Sequence, residues 1–214
     1  RRMSPIHSKI LEMGGQMGCY NGWERANWFA HGNDDTSMES AQTWERNGPW
    51  ETRVREECEA VRDNVGVLDL PGFSRFELRG NDSEAFINRL IVGKLPKVGK
   101  ISLSYFSDKR GRILTEMSIM KNSQNHFTLI TAAAAQWHDY ELLKSSIEPN
   151  SDISIEDTSS EVSTLIVTGP KSRDLLTKIT DADLYQPWLT HQTANIEAMP
   201  VMLARVSFAG ELGW

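Results

Sequence analysis

Two glutamates combine a chemically useful side chain with a local pattern that could hold it in place. The first, Glu116, lies in the segment GRILTEM, where a two-residue period puts Thr115 and Met117 on one face of a predicted strand and Glu116 on the other. A carboxylate on such a strand is either solvated or buried with partners, and burial would raise its pKa toward the range of a general acid or base. The residues alone leave both alternatives open.

The second glutamate, Glu211, lies in the segment AGELG between Gly210 and Gly213. Glycines permit a positive φ angle and the close approach of another group, so a tight turn could hold this carboxylate at a cleft. A fixed carboxylate accepts two parallel N–H hydrogen bonds, which suits a guanidinium group or an amino-pyrimidine edge such as that of a pterin. A solvated hairpin turn is the alternative interpretation.

Other classes of site find little support in the sequence. The five histidines form no HExxH motif and no pair at i,i+4 spacing, and Cys19 and Cys58 are far apart without CxxC spacing, so neither a metal site nor a disulfide framework is expected. Nucleotide-binding fingerprints and the GxSxG motif of hydrolases are also absent from the sequence. The cysteine usage favours a reducing compartment, either the cytoplasm or the mitochondrial matrix.

Charge and hydropathy argue against two classes of partner. The net charge of −6 at pH 7 gives no general reason to expect nucleic acid, and no apolar run approaches the length of a membrane span. A local basic patch could still bind a small anion. Six cations crowd two adjacent loops: Lys94, Lys97, Lys100, Lys109, Arg110 and Arg112.

The elements that must position the two glutamates become regular from residue 49 onward. The segment PWETRVREECEAVRDNV has apolar residues at helical spacing between Pro49 and Gly66, which predicts an amphipathic helix. Strands and helices then mix, and GKISLSYFS is predicted to pair with GRILTEMSIM as a hairpin across DKRG. This pattern predicts an α+β fold in which antiparallel or mixed sheets carry helices on one face. The last strand is predicted over MPVMLARVSFAG, which includes Phe208.

The first 48 residues differ from the rest of the chain. The stretch from residue 18 to residue 50 has four tryptophans among many Gly, Asn, Asp and Ser residues, with no sustained helical or strand period. We therefore predict an irregular, Trp-rich connecting arm over residues 1–48. Its rings, including those of Trp23, Trp28 and Trp44, are expected to dock on a neighbouring domain because large aromatic side chains bury well.

An ordered set of segments resembles a known family. The segments are NGWERANWFA, AVRDNVGVLDL, FSRFELRGNDSEAFINRL, DKRGRILTEM, LITAAAAQWHDYELLK, VTGPKSRDLL and VSFAGELGW. Together they resemble the folate-binding part of FAD-dependent dimethylglycine and sarcosine dehydrogenases. That part is in turn similar to the aminomethyltransferase, or T-protein, of the glycine cleavage system.

The resemblance implies a fold, a domain organisation and two cofactors. Residues 49–214 would form an aminomethyltransferase-like folate-binding domain that lacks its C-terminal part, and an FAD-binding domain would precede the arm. In such enzymes the flavin oxidises an N-methyl amine to an iminium, and tetrahydrofolate captures the one-carbon unit as methylene-tetrahydrofolate. This chain would supply only the second step, so we expect it to be inactive by itself. The alternatives are a non-catalytic scaffold domain of the same fold and a related aminomethyltransferase or demethylase.

The resemblance also implies four folate-binding residues. Glu211 matches the carboxylate that the family directs at the pterin, and Phe73 falls at a further folate-binding position. Phe208 and Leu103 stand where the family often has tyrosine, so an apolar surface would persist without the hydroxyl groups.

Two further residues compete for the catalytic acid. Thr115 falls at the position of the family's acid, and Glu116 follows it directly. The two-residue period of a strand predicts that these neighbours point to opposite faces. Glu116 is therefore a candidate acid that is displaced by one position.

Overall fold

The computed structural model describes residues 1–37 and 47–214, which contain helices and strands numbered here along the chain. The helices are α1 (His7–Glu12), α2 (Glu51–Asp63), α3 (Ser83–Leu90), α4 (Gln136–Ser145) and α5 (Ser172–Leu176). The strands are β1 (Gly15–Tyr20), β2 (Trp23–Phe29), β3 (Gly66–Asp69), β4 (Phe73–Arg79), β5 (Ile91–Val92), β6 (Ile101–Ser107), β7 (Ile113–Ser123), β8 (His126–Ala132), β9 (Ser154–Asp157), β10 (Leu165–Thr168), β11 (Thr190–Ile196) and β12 (Met199–Arg205).

These elements divide into two compact units. Unit 1 comprises Arg1–Pro71, Ser163–Ile179 and Ser207–Trp214, and unit 2 comprises Gly72–Val162 and Thr180–Val206. The predicted boundary between residues 48 and 49 falls inside unit 1, so the two units do not follow it.

Unit 1 begins with regular structure where the sequence predicted an irregular arm. Strands β1 and β2 form an antiparallel hairpin joined by Asn21 and Gly22, whose φ angles of 50° and 83° define a type I′ turn. The prediction of irregularity is wrong for this stretch because an Asn-Gly pair favours this turn even between short, polar strands. Trp23 and Trp28 are buried, and Trp44 lies outside the described residues.

The rest of unit 1 contains the predicted helix and a small sheet. Helix α2 ends before Gly66, as predicted, and contacts β2 and β3. Its expected apolar side is incompletely covered, because Cys58 is exposed. Strand β3 pairs with β10, and the backbone of Val167 in β10 exchanges two hydrogen bonds with buried Trp214.

Unit 2 is built on a six-stranded sheet with the order β5-β6-β7-β8-β4-β9. Every pairing of its strands is antiparallel, and β6 and β7 form the predicted hairpin across DKRG. Helices α3 and α4 pack on one face, which confirms the predicted α+β class. The core between helices and sheet consists of Phe76, Leu78, Phe86, Ile87, Ile91, Phe106, Met117, Ile119, Phe127, Leu129, Leu143 and Ile155.

Unit 2 also contains a second hairpin, β11–β12. It follows the segment Ser163–Ile179, which belongs to unit 1. Strand β12 ends at Arg205, so the prediction that Phe208 lies on this strand is wrong. The chain bends over residues 208–212, where Gly210 has a φ angle of +101° that an extended strand cannot accommodate.

Candidate functional site

The sheet of unit 2 has one face covered by helices and one that carries three of the six predicted site residues. Alternation along each strand puts Phe76 and Met117 toward the helices, and their direct neighbours on the opposite face. We call this opposite side the Leu103 face. Its side chains include Phe73, Arg75, Leu103, Tyr105, Glu116, Ser118 and Ile130.

The strand register forms a continuous row across this face. Leu103 of β6 lies opposite Ser118 of β7, and Ser118 lies opposite Ile130 of β8. Ile130 in turn lies opposite Arg75 of β4. Directly opposed residues share a face of the sheet, so these four side chains are neighbours although they are far apart in sequence.

A tyrosine and a glutamate form a pair at the edge of this row. Tyr105 lies opposite Glu116, and a hydrogen bond to the Glu116 carboxylate raises the pKa of the tyrosine hydroxyl. Tyr105 was not predicted as a site residue, although it follows Leu103 by two positions and therefore had to share its face. It supplies a hydroxyl group beside the position where Leu103 lacks one.

Thr115 lies on the helix-covered side, away from Glu116, as the two-residue period predicts. Its Oγ1 donates a hydrogen bond of 3.0 Å to Oδ2 of Asp139, which is completely buried in α4. Thr131 Oγ1 donates to the same oxygen at 2.5 Å, and Nδ1 of His138 lies 2.8 Å from the other oxygen, Oδ1. Thr115 therefore stabilises a buried carboxylate and is not brought together with the residues of the Leu103 face.

Glu211 and Phe208 belong to unit 1 and lie exposed on its surface. Ser207 Oγ accepts a hydrogen bond of 2.7 Å from the backbone N–H of Gly210 and lies 3.5 Å from Oε2 of Glu211. Both Glu211 and Phe208 are exposed, and the ring of Phe208 is fully so. The bend at Gly210 thus presents an exposed carboxylate that can accept further hydrogen bonds.

The predicted site residues therefore separate into three groups. Phe73, Leu103 and Glu116 share the Leu103 face of unit 2, and the first two are about half exposed apolar side chains. Thr115 lies on the other face of the same sheet. The remaining two, Glu211 and Phe208, lie in unit 1.

One of the six cations in the basic loops, Arg112, forms an ion pair with Asp108. Hydrogen bonds from the backbone and side chain of Arg112 lower the pKa of Asp108, and Nε of Arg112 lies 2.7 Å from Oδ2 of this carboxylate. Among the described residues, the other five cations of these loops form no ion pair.

The described part of the chain contains neither a metal-binding cluster nor a membrane-spanning helix. No group of three or more His, Cys, Asp or Glu residues there is arranged to hold a metal ion. No helix within residues 1–37 or 47–214 is long and apolar enough to cross a membrane.

The fold is that of an aminomethyltransferase domain. The structure superposes on the glycine cleavage system aminomethyltransferase T from Bartonella henselae with a TM-score of 0.75, over 99% of this chain and 52% of that one. Sequence identity in this comparison is 15%, so it shows the fold alone. The sequence matches the GCVT N-terminal domain over residues 6–214, and the chain therefore belongs to this family.

Proteins of similar sequence confirm the resemblance to dimethylglycine and sarcosine dehydrogenases. The chain is 33% identical to dimethylglycine dehydrogenase, mitochondrial, of Rattus norvegicus, over its whole length and 25% of the relative. It is 30% identical to 4-methylaminobutanoate oxidase (formaldehyde-forming) of Paenarthrobacter nicotinovorans, over its whole length and 26% of that protein. The chain thus spans about a quarter of the length of these two relatives. It is homologous to a folate-binding domain that such enzymes share with aminomethyltransferases.

Proposed function

We propose that this chain is the tetrahydrofolate-binding, one-carbon-transfer part of an oxidoreductase that demethylates an N-methyl amine of the dimethylglycine or sarcosine type. The observation that carries the proposal is the Tyr105–Glu116 pair on an exposed, partly apolar sheet face. Two relatives whose names describe enzymes of methylated amines support the substrate class.

The residues present fit the chemistry of a reduced folate. A pterin ring needs an apolar surface, which Phe73 and Leu103 provide on unit 2. It also presents a ring N–H and an exocyclic amine, which a carboxylate accepts as a pair of charge-assisted hydrogen bonds. A separate proposal concerns unit 1, where Glu211 is a candidate acceptor for such a pair because it is exposed and the hydrogen bond that it accepts from Ser207 is long, at 3.5 Å. Phe208 is proposed to contribute a further apolar contact.

Glu116 is the proposed proton-transfer group. When bound, tetrahydrofolate supplies the nitrogen atoms that accept the one-carbon unit. A carboxylate beside them can take up the proton that such a nitrogen loses. Tyr105, its cross-strand neighbour, is proposed to help position this carboxylate, since a tyrosine hydroxyl is protonated and can donate a hydrogen bond at neutral pH. Thr115 is proposed to act only through the fold, by its hydrogen bond to Asp139.

The oxidation step is proposed to take place in a part of the protein outside this chain. That part would bind FAD and the N-methyl amine, and this chain by itself would not oxidise an amine. A reducing location, cytoplasm or mitochondrial matrix, is consistent with the two exposed free cysteines, Cys19 and Cys58.

The proposal is tested on the full-length protein with tetrahydrofolate. Calorimetric titration measures the affinity, and incubation with formaldehyde measures capture of the one-carbon unit independently of the flavin. We expect binding by the wild type, and in Glu116→Gln a loss of capture by about a hundredfold with little change in affinity. Glu156→Gln, which alters an exposed glutamate on β9, is the matched control and should behave as wild type. A full-length protein that does not bind tetrahydrofolate would favour the scaffold alternative.

A further inference from the structure

Arg75 is a cation on the Leu103 face whose charge the described structure leaves without a partner. Both backbone groups of Arg75 form hydrogen bonds: its N–H donates to Ser159 Oγ at 2.9 Å, and its carbonyl accepts from the N–H of Thr158 at 3.0 Å. Its guanidinium, in contrast, forms no hydrogen bond or ion pair with any residue within 1–37 or 47–214. Five N–H donors are therefore available at a fixed place on the sheet.

Partial burial makes this arrangement costly without a ligand. Arg75 is half buried, and burial lowers the pKa of its guanidinium, an effect that the charge of Glu77 opposes. A cation that is removed from water is stabilised when an anion pairs with it.

The nearest carboxylate on the face is already engaged. Glu77 follows Arg75 by two residues and accepts hydrogen bonds from Thr128 Oγ1, at 3.0 Å to Oε1, and from His126 at Oε2. Arg79 lies 3.8 Å from the same carboxylate. Glu77 is thus held by other groups and does not form the ion pair that Arg75 lacks.

The neighbours of Arg75 define what kind of anion fits. Ile130 lies directly opposite, and Phe73 precedes Arg75 by two residues on the same strand face, so apolar surface flanks the guanidinium. Ser118, one strand further along the row, adds a hydroxyl group. A planar guanidinium between apolar side chains favours a flat, bidentate anion at the end of an organic molecule, which describes a carboxylate.

We propose that Arg75 binds a carboxylate group of a ligand that lies on the Leu103 face. This inference rests on the proposed function, in which the glutamate tail of a folate supplies such a group. The carboxylate of an N-methyl amino acid, which the part outside this chain is proposed to bind, is the alternative source that the test separates from it. The row from Leu103 to Arg75 then binds an elongated molecule, with its apolar part on Leu103 and Ile130 and its anionic end on Arg75.

The test compares three probes on the full-length protein. The probes are tetrahydrofolate with one glutamate, 6-methyltetrahydropterin, which has no tail, and N,N-dimethylglycine. Their dissociation constants are measured by calorimetry for wild type, Arg75→Gln and Arg75→Lys. Arg79→Gln is the matched control, because it removes the same charge from the same strand and face.

The expected result is a weakening by about tenfold or more in Arg75→Gln for a probe whose carboxylate Arg75 binds. Weaker tetrahydrofolate with unchanged 6-methyltetrahydropterin identifies the folate tail, and weaker N,N-dimethylglycine identifies the amino-acid carboxylate. Arg75→Lys should lose less affinity because it retains the charge, and Arg79→Gln should match wild type. Arg75→Gln should unfold at no lower temperature than wild type, because the Arg75 guanidinium makes no hydrogen bond in the described structure.

Two results would overturn the inference. One is unchanged affinity of Arg75→Gln for every probe that the wild type binds, which would leave the proposed function intact. The other is an equal loss for the tailless pterin and tetrahydrofolate, since the carboxylate would then not be what Arg75 recognises. A wild-type protein that binds none of the probes would overturn the proposed function and this inference together.

Discussion

The hydroxyl of Thr115 donates a 3.0 Å hydrogen bond to the buried carboxylate of Asp139, while the next residue along the strand, Glu116, points to the opposite face of the sheet. Two adjacent positions of one strand thus have different environments. The first stabilises the contact between helix α4 and the sheet, and the second is available to a ligand. This division leads to separate predictions for stability and for activity.

Thr115→Val should destabilise the protein without changing folate affinity. The substitution removes one of the donors to Asp139 and leaves a buried carboxylate less well satisfied, at a cost of about 1–3 kcal/mol in the free energy of unfolding. Urea denaturation of the full-length protein measures this change. Thr115→Ser retains the hydroxyl group and should lose less stability. A loss of tetrahydrofolate affinity at unchanged stability would contradict the structural role of Thr115.

The tyrosine hydroxyl of Tyr105 should titrate above its usual pKa of 10.0, because the neutral hydroxyl donates to the Glu116 carboxylate and tyrosinate would be repelled by it. In Glu116→Gln the midpoint should fall toward the ordinary value. NMR of carbon-13-labelled tyrosine as a function of pH resolves the residue, with Tyr105→Phe for assignment. An identical midpoint in wild type and Glu116→Gln would show that the two side chains do not interact.

Glu211→Gln should weaken tetrahydrofolate binding by about tenfold to a hundredfold, because the neutral amide presents one oxygen where the carboxylate accepts two charge-assisted hydrogen bonds. Titration of the full-length protein measures the loss. Glu197→Gln is the control, since Glu197 is also an exposed glutamate in a turn. Unchanged affinity in Glu211→Gln, or an equal loss in Glu116→Gln, would refute the assignment of the pterin contact to Glu211.

The ion pair between Asp34 and Arg53 should make the stability of the protein depend on acidic pH. Hydrogen bonds from Arg53, at 2.7 Å to Oδ2, lower the pKa of Asp34 from 3.8 to about 2. A depressed folded-state pKa contributes stability above the unfolded value of 3.8, and this contribution is lost as pH falls toward 2. Denaturation midpoints between pH 5 and about 2 should therefore fall less steeply in Asp34→Asn than in wild type. Parallel profiles of the two proteins would refute the coupling.

The six cations of the loops around residues 94–112 should attract the anionic tail of a polyglutamylated folate. Exposed charges interact weakly and are screened by salt, so the affinity should decline as ionic strength rises. Calorimetry in buffers of increasing sodium chloride concentration measures the effect, with a monoglutamate as the control that declines less. Binding of the polyglutamate that does not respond to salt would contradict the prediction.

Local patterns in the sequence determined much of the fold. Helix α2 between Pro49 and Gly66, the β6–β7 hairpin across DKRG and the α+β class all follow from side-chain period and turn residues, which act over a few positions. The same local rules predicted the opposite faces of Thr115 and Glu116. The β1–β2 hairpin at Asn21 and Gly22 also follows from such a local rule, because an Asn-Gly pair favours its turn despite the polar composition of the strands.

Only the tertiary structure decided which of these residues meet. Alternation says that Leu103 and Tyr105 share a face, but it does not say whether helices cover that face or whether Glu116 lies opposite. Strand register brings Arg75 beside Ile130, 55 positions apart, and no local pattern shows that the Arg75 guanidinium is half buried without a partner among the described residues. Register and burial arise from contacts between distant segments, and their energies depend on which other elements exclude water from each side chain.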